Sequence, residues 1–170
     1  MNKKQALPWD NPRFKNWIAV ARASQVMGLT LSRALSGLDI KPPHLDILAN
    51  VYKHPGISQQ EVANKLLTGR SNLSMLLPQL EQRGLVIRKS DSDDRRVLRL
   101  RLTDDGRELT EAALAIQCDV IDRSMQATST EECNLIGDVM DRMIRQLTDA
   151  DPSQTKSGQN ETDEKKSTGK

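Results

Sequence analysis

Aromatic residues make up only 2% of the 170-residue chain, as two Trp, one Tyr and one Phe. Any folded domain must therefore bury Leu, Ile, Val, Met and Ala. The two cysteines, Cys118 and Cys133, are too few for a disulfide framework. A formal net charge of +2 is also small, so the charge of the whole chain does not indicate a nucleic-acid partner. Any such signal must come from local charge.

Long apolar runs are missing as well. No stretch approaches the roughly 20 apolar residues that a membrane span needs. Lys3 and Lys4 are not followed by an apolar segment, so no secretory signal is predicted. We expect a soluble, cytoplasmic protein.

The patterns that mark catalytic or metal sites are absent from the sequence. We find no Ser/His/Asp arrangement, no phosphate-binding glycine loop and no His/Cys set with metal spacing. His44 and His54 lie at opposite ends of one predicted helix, and the aspartates of 91–94 lack the Gly and the distal Glu of a calcium loop. The sequence predicts no enzyme, no metal and no cofactor.

The most informative segment is residues 84–102. Val97 to Leu102 alternates apolar residues with Arg99 and Arg101, which places the leucines on a buried face and the arginines on the other. Across 84–101 there are six basic residues against three acidic ones. The tip between the two strand-like runs, 90–96, contains only Ser, Asp and Arg. A hairpin with an arginine tip, directly after a helix, is typical of the wing of a DNA-binding domain.

The segments before this hairpin predict helices. Apolar spacing predicts one over 13–36, closed by Gly37, and a second from Lys41-Pro42-Pro43 to His54-Pro55-Gly56. Ser58 and Glu61 form a capping box that opens a short helix over 59–67. The next helix, about 71–83, buries Leu73, Leu76, Leu77 and Leu80. These last two helices predict a helix-turn-helix.

Two further helices follow the hairpin. Thr103 to Gly106 predicts the cap of a long helix, and Thr128 to Glu132 predicts the cap of another. Apolar pairs recur every four residues over 135–147, a stripe wider than one short helix can bury on its own domain. The predicted division is a flexible arm (1–12), an N-terminal dimerisation helix (13–40), a winged helix-turn-helix domain (41–103), C-terminal dimerisation helices (104–148) and a disordered tail (149–170).

This order of elements resembles the multiple-antibiotic-resistance regulator (MarR) family. The resemblance is carried by 58–63, by 80–86 and above all by 91–106, where an Asp/Arg tip precedes an alternating strand and Leu-Thr-Asp-Asp-Gly. It implies a mainly helical fold with a small β-hairpin. It further implies a winged-helix homodimer that represses transcription and leaves the DNA when a small molecule or an oxidant is bound.

The chain departs from the family pattern at four positions. Asp93 replaces a tip arginine, so insertion into the minor groove falls to Arg95 or Arg96. Met75 and Gln79 stand where the family often has Arg or Lys. Pro78 removes one helical hydrogen bond, and we expect a bend near Ser74.

The residues predicted to contact DNA lie on the recognition helix and the wing. An isolated polar helix face is usually only solvated, but beside a wing the two elements define one binding surface. At the tip we expect one arginine to hold the turn through an aspartate while its neighbour points to DNA. The predicted contacts are Arg70, Ser71, Asn72, Ser74, Met75, Gln79, Arg95 and Arg96.

An effector would bind between the dimerisation helices and the winged domain. The candidates are Trp17, Arg22, His44 and Ile116, with a surface or capping role as the alternative for His44. Acidic neighbours favour buried, inert thiols for Cys118 and Cys133, with a redox-sensing regulator as the alternative. The other competing function is a non-catalytic protein-interaction module. The expected partners are double-stranded DNA, a second copy and a small molecule.

Overall fold

A computed structural model shows a mainly helical chain with one two-stranded antiparallel hairpin. It describes residues 7–66, 69–92 and 94–149, and for 69–72 it describes the backbone alone. The chain divides into two compact units, the first ending at Ser124 and the second beginning at Met125. The elements are α1 (Phe14–Ala34), α2 (Pro42–Lys53), α3 (Gln59–Lys65), α4 (Gly69–Gln82), β1 (Val86–Ser90), β2 (Leu98–Leu102), α5 (Asp104–Met125) and α6 (Thr130–Asp149).

Two short 3-10 helices flank α1. The first, Pro8–Asp10, lies within the predicted arm, whose residues 1–6 fall outside the described residues. The second, Leu35–Leu38, replaces the predicted stop at Gly37, and the left-handed residue that follows is Asp39, with φ of 52°. An aspartate tolerates this conformation better than most residues because its short side chain can bond locally.

An aliphatic core fills the winged domain. Because aromatic residues are scarce, the fully buried side chains are mostly aliphatic, and most of them come from α2, α3, α4 and the hairpin. They include Leu45, Leu48, Val62, Leu73, Leu77, Leu80 and Leu100. The predicted burial of Leu73, Leu77 and Leu80 in α4 is confirmed, whereas Leu76 is only partly buried.

The hairpin pairs Val86 with Leu102 and Ser90 with Leu98. Leu100 is fully buried and Arg101 is exposed, as the alternation predicts. The free edge of β2 is covered by the segment before α3, because Gly56 N–H donates to Leu100 O and Leu100 N–H donates to Ile57 O, both at 2.9 Å. This pairing fixes the wing beside the start of the helix-turn-helix.

The start of α5 locks the base of the wing. The Thr103 hydroxyl accepts a bond of 2.9 Å from Gly106 N–H and donates one of 2.6 Å to Gly84 O. Thr103 N–H also donates to Leu85 O at 3.1 Å. The predicted cap at Thr103 is therefore confirmed.

The three long helices, α1, α5 and α6, have 21, 22 and 20 residues. None of the described helices combines the length and the low charge that crossing a bilayer requires. Ser129 and Glu132 cap α6 reciprocally at 2.8 and 3.2 Å, as predicted for 128–132. Neither α1 nor α6 contains a buried residue. The predicted tail beyond Asp149 lies outside the described residues.

Candidate nucleic-acid interface

The capping box at the start of α3 forms as predicted. Ser58 N–H donates to Glu61 Oε2 at 2.8 Å, and Glu61 N–H donates to Ser58 Oγ at 3.1 Å. The Ser58 hydroxyl also donates to Glu61 and holds the pKa of this carboxyl below its usual range. Since Ser58 also bridges to Arg99 of β2, the start of α3 is tied to the wing.

Helix α4 turns three of the predicted contact residues outwards. Ser74, Met75 and Gln79 are exposed, with Met75 at 59%. The buried Leu73, Leu77 and Leu80 lie on its other side. The helix is continuous through Pro78. The predicted Arg70, Ser71 and Asn72 lie in its first turn, and their side chains fall outside the described residues.

The aspartates of the wing tip build its turn. Asp94 N–H donates to Asp91 Oδ1 at 3.2 Å, and Arg96 N–H donates to Asp94 Oδ1 at 3.0 Å. Main-chain bonds of 2.9 Å join Asp91 to Val97 and Val97 to Asp94. Asp93 lies outside the described residues. Hydrogen bonds of this Asx type stabilise a short turn without the burial of a side chain.

Arg95 and Arg96 are exposed, and among the described residues neither side chain forms an ion pair or a hydrogen bond. The expectation that the side chain of one of them holds the turn through an aspartate is wrong: Arg96 bonds to Asp94 through its main-chain N–H, and Asp91 pairs with Arg99, with Nε and Oδ2 2.6 Å apart. Arg99 lies on the paired strand, where its position is fixed by the ladder. Both tip arginines are left available for a partner.

The wing and the helix-turn-helix border one groove of about 600 Å³. Arg96 and Arg99 line it from the wing, Ser74 from α4, and Ser58 and Glu61 from α3. The structure thus brings the predicted Ser74 and Arg96 to the same surface.

The basic residues of this region fall into two groups. Arg88 binds Glu81 of α4 through two contacts of 2.6 Å, and Arg83 donates to Asp39 O at 2.6 Å. Lys89 and Arg101 are exposed and form no ion pair with any described residue. Sequence reasoning did not select Lys89 and Arg101 as contacts, although alternation along the strands signals that Arg101 faces outward.

The sequence and the fold of this chain are similar to those of known proteins. Residues 38–97, from the end of the second 3-10 helix to the wing, match the model of the MarR family. Over these residues the chain is similar to the MarR family.

The relatives of the chain include two proteins of Bacillus subtilis. The uncharacterised HTH-type transcriptional regulator YdgJ is 32% identical over 104 residues, which cover 61% of this chain and 63% of YdgJ. The HTH-type transcriptional repressor MdtR is 31% identical over 93 residues, covering 55% and 60%. The match thus spans less than two thirds of these relatives. The crystal structure of the Staphylococcus aureus MepR–DNA complex superposes with a TM-score of 0.70 at 25% identity, covering 76% of this chain and 96% of MepR.

The predicted effector residues lie apart in α1, α2 and α5. Trp17, 58% exposed, lines a surface pocket of about 550 Å³ together with Trp9, Phe14 and Ile18. Arg22 is exposed on α1, and Ile116 packs against the core. His44 is buried, and its Nδ1 accepts the Lys41 N–H at 3.2 Å, which is the capping role given as its alternative. Neither of the two pockets named here contains more than one of the four.

The expectation that both cysteines are buried is wrong for the single chain. Cys118 is exposed on α5, and Cys133 is half-buried with Sγ 3.1 Å from Thr128 Oγ1. Acidic neighbours do not predict burial, because side-chain exposure depends on the helix face. Among the described residues, no three His, Cys, Asp or Glu side chains are grouped as metal ligands.

Proposed function

We propose that this protein is a homodimeric, sequence-specific DNA-binding transcriptional regulator of the MarR type. It acts as a repressor that a small-molecule effector releases from a pseudo-palindromic operator. The observation that carries the proposal is the exposed tip at Arg95 and Arg96, where Arg96 borders the same groove as Ser74 of α4. The two elements thus contribute polar and basic side chains to one groove.

The chemistry of this surface suits duplex DNA. Hydroxyl and amide groups such as those of Ser74 and Gln79 bond to phosphates or adenine edges in the major groove. Guanidinium groups such as those of Arg95 and Arg96 fit a narrow minor groove, where the negative potential is enhanced. The likeness to MepR, solved as a DNA complex, and to the repressor MdtR supports this assignment.

Exposed apolar residues support the homodimer. On α1 they include Trp17, Val26 and Leu29, and on α6 they include Leu135 and Leu147, each at least 49% exposed. A second copy would cover them, and its two-fold symmetry would set two recognition helices about one helical turn of DNA apart.

Release by an effector requires a ligand that binds one spacing of the recognition helices more tightly than the other. The aromatic pocket at Trp17 offers an apolar surface for such a ligand. Arg22, His44 and Ile116 remain the other proposed effector contacts, and the match to the MarR family model supports this mode of regulation.

The proposal is tested by replacing the tip arginines. R95A/R96A should weaken binding to a duplex selected by the wild-type protein by at least about tenfold. The dependence of affinity on salt should also become shallower, by about two counterions per wing, because fewer phosphates are neutralised. Fluorescence anisotropy across a salt series measures both effects.

The matched control is R123A/R145A, which removes the same charge outside the winged domain at exposed positions. It should bind the duplex like the wild type, and light scattering should show the same oligomeric state for all variants. If R95A/R96A kept full affinity with an intact dimer, the winged fold would instead act as a protein-interaction module.

A further inference from the structure

Arg99 occupies the centre of a polar network that joins the wing tip to the helix-turn-helix. Its Nε lies 2.6 Å from Asp91 Oδ2, and its Nη1 lies 3.8 Å from Glu61 Oε2 and 3.5 Å from Gly56 O. The same Asp91 carboxylate accepts the Asp94 N–H that forms the tip turn. The network therefore runs from the tip turn to the capping box that starts α3.

The charges of this network differ from those of the neighbouring arginines. Arg99 faces two carboxylates, Asp91 and Glu61, whose combined charge exceeds its own. Its side chain is also only 39% exposed. Arg101, two residues further along the same strand, is exposed without an ion pair to any described residue. The cluster of one guanidinium and two carboxylates has no net positive charge, so it attracts a phosphate only weakly.

We propose that Arg99, oriented by Asp91 and Glu61, is a positioning residue that sets the direction of the wing relative to α3 and α4. It acts on DNA through the tip arginines and does not bind DNA itself. This inference rests on the proposed DNA-binding function. It assigns a role to an arginine that charge alone would place among the DNA contacts.

The sign of one substitution separates positioning from electrostatics. D91N removes a negative charge from the proposed DNA-binding face, so electrostatics alone predicts tighter binding. Positioning predicts the opposite, a loss of about tenfold, because a charge-assisted bond that holds the wing is gone. R99K keeps the charge but loses the forked donor geometry, and it should lose affinity to a similar extent.

A double-variant comparison tests whether the effect passes through the tip. Introduced into R95A/R96A, D91N should cause no further loss, because the residues it positions are already absent. The measurements use a duplex of roughly 30 base pairs selected by the wild-type protein from a random pool, long enough for two half-sites. Low salt keeps the weakened complexes detectable.

Two controls keep the test independent of folding. E61Q retains the capping box, since glutamine replaces glutamate there, but removes the weaker ion pair, so it should lose affinity by a smaller factor than D91N. Circular dichroism and light scattering establish that each variant folds and self-associates like the wild type. A D91N protein that binds as tightly as the wild type, or equal losses in both backgrounds, would overturn the positioning role. A wild-type protein that selects no duplex would instead overturn the proposed function.

Discussion

At the scale of single residues, His44 shows how a polar side chain is kept inside an aliphatic core. Its Nδ1 accepts the Lys41 N–H at 3.2 Å, so the remaining proton of the neutral ring sits on Nε2. Burial lowers the pKa of His44, and the charges of Arg83 and Lys41 lower it further, against the opposing effects of Gln79 and Asp39. His44 therefore stays neutral at physiological pH and caps α2.

This pKa makes stability depend on pH. In the unfolded chain His44 titrates near 6.5, and in the folded chain it titrates at a lower pH. The stabilisation from neutral His44 is therefore complete above about 6.5 and is lost as the pH falls from there towards the folded pKa. H44N keeps an acceptor for Lys41 but does not titrate. Its free energy of unfolding in urea should fall less than that of the wild type between about pH 7 and 5.

The control for this experiment is H54N, which removes the other histidine, an exposed one. It should follow the wild-type curve. Parallel curves for H44N and the wild type would show that His44 does not contribute to the pH dependence.

At the scale of elements, the first turn of α5 approaches the start of the wing so closely that only glycine fits. A Cβ at Gly106 would overlap Leu85 O, which is itself held by Thr103 N–H. The atom in the way belongs to the main chain, so it cannot move without disturbing the pairing of β1. This contact accounts for the glycine that follows Leu-Thr-Asp-Asp in the sequence.

G106A should therefore destabilise the protein by about 2–3 kcal/mol, the usual cost of overpacking against a rigid neighbour. Chemical denaturation monitored by circular dichroism measures this change. G37A is the matched control, because no atom lies within 4 Å of a Cβ at Gly37. Its stability should stay within about 0.5 kcal/mol of the wild type. Equal stability of G106A and the wild type would mean that α5 can shift away from Leu85 without cost.

Sequence patterns predict the helices and strands well, but they predict the side-chain contacts between these elements poorly. Capping residues such as Ser58 and Thr103 act over three positions, so they mark helix starts directly. Alternation in 97–102 is also a local pattern, so it predicts the exposed face of β2 directly. No local pattern predicts the pairing of Arg99 with Asp91 and Glu61, because only the fold brings these residues together. Local patterns also do not predict the left-handed conformation of Asp39, because Gly37 is the stronger signal for the end of a helix.

At the scale of the whole molecule, the single chain leaves apolar surface uncovered. The apolar stripe of α6 includes Leu135 at 62% exposure, Ile136 at 44% and Leu147 at 70%. Exposed apolar residues in such a row usually mark an interaction surface.

The dimer proposal can be tested on this stripe. I136E places a charge on the exposed stripe. This charge costs the isolated chain little stability because it stays in contact with water, but its burial against a second copy is costly. The variant should shift from dimer to monomer in sedimentation velocity and lose affinity for the selected duplex. N134E adds the same charge at an exposed position on the opposite side of α6 and should remain dimeric. If I136E stayed a dimer at micromolar concentration, the stripe would not be the dimer interface, and the spacing of the two recognition helices would have to be set by another surface.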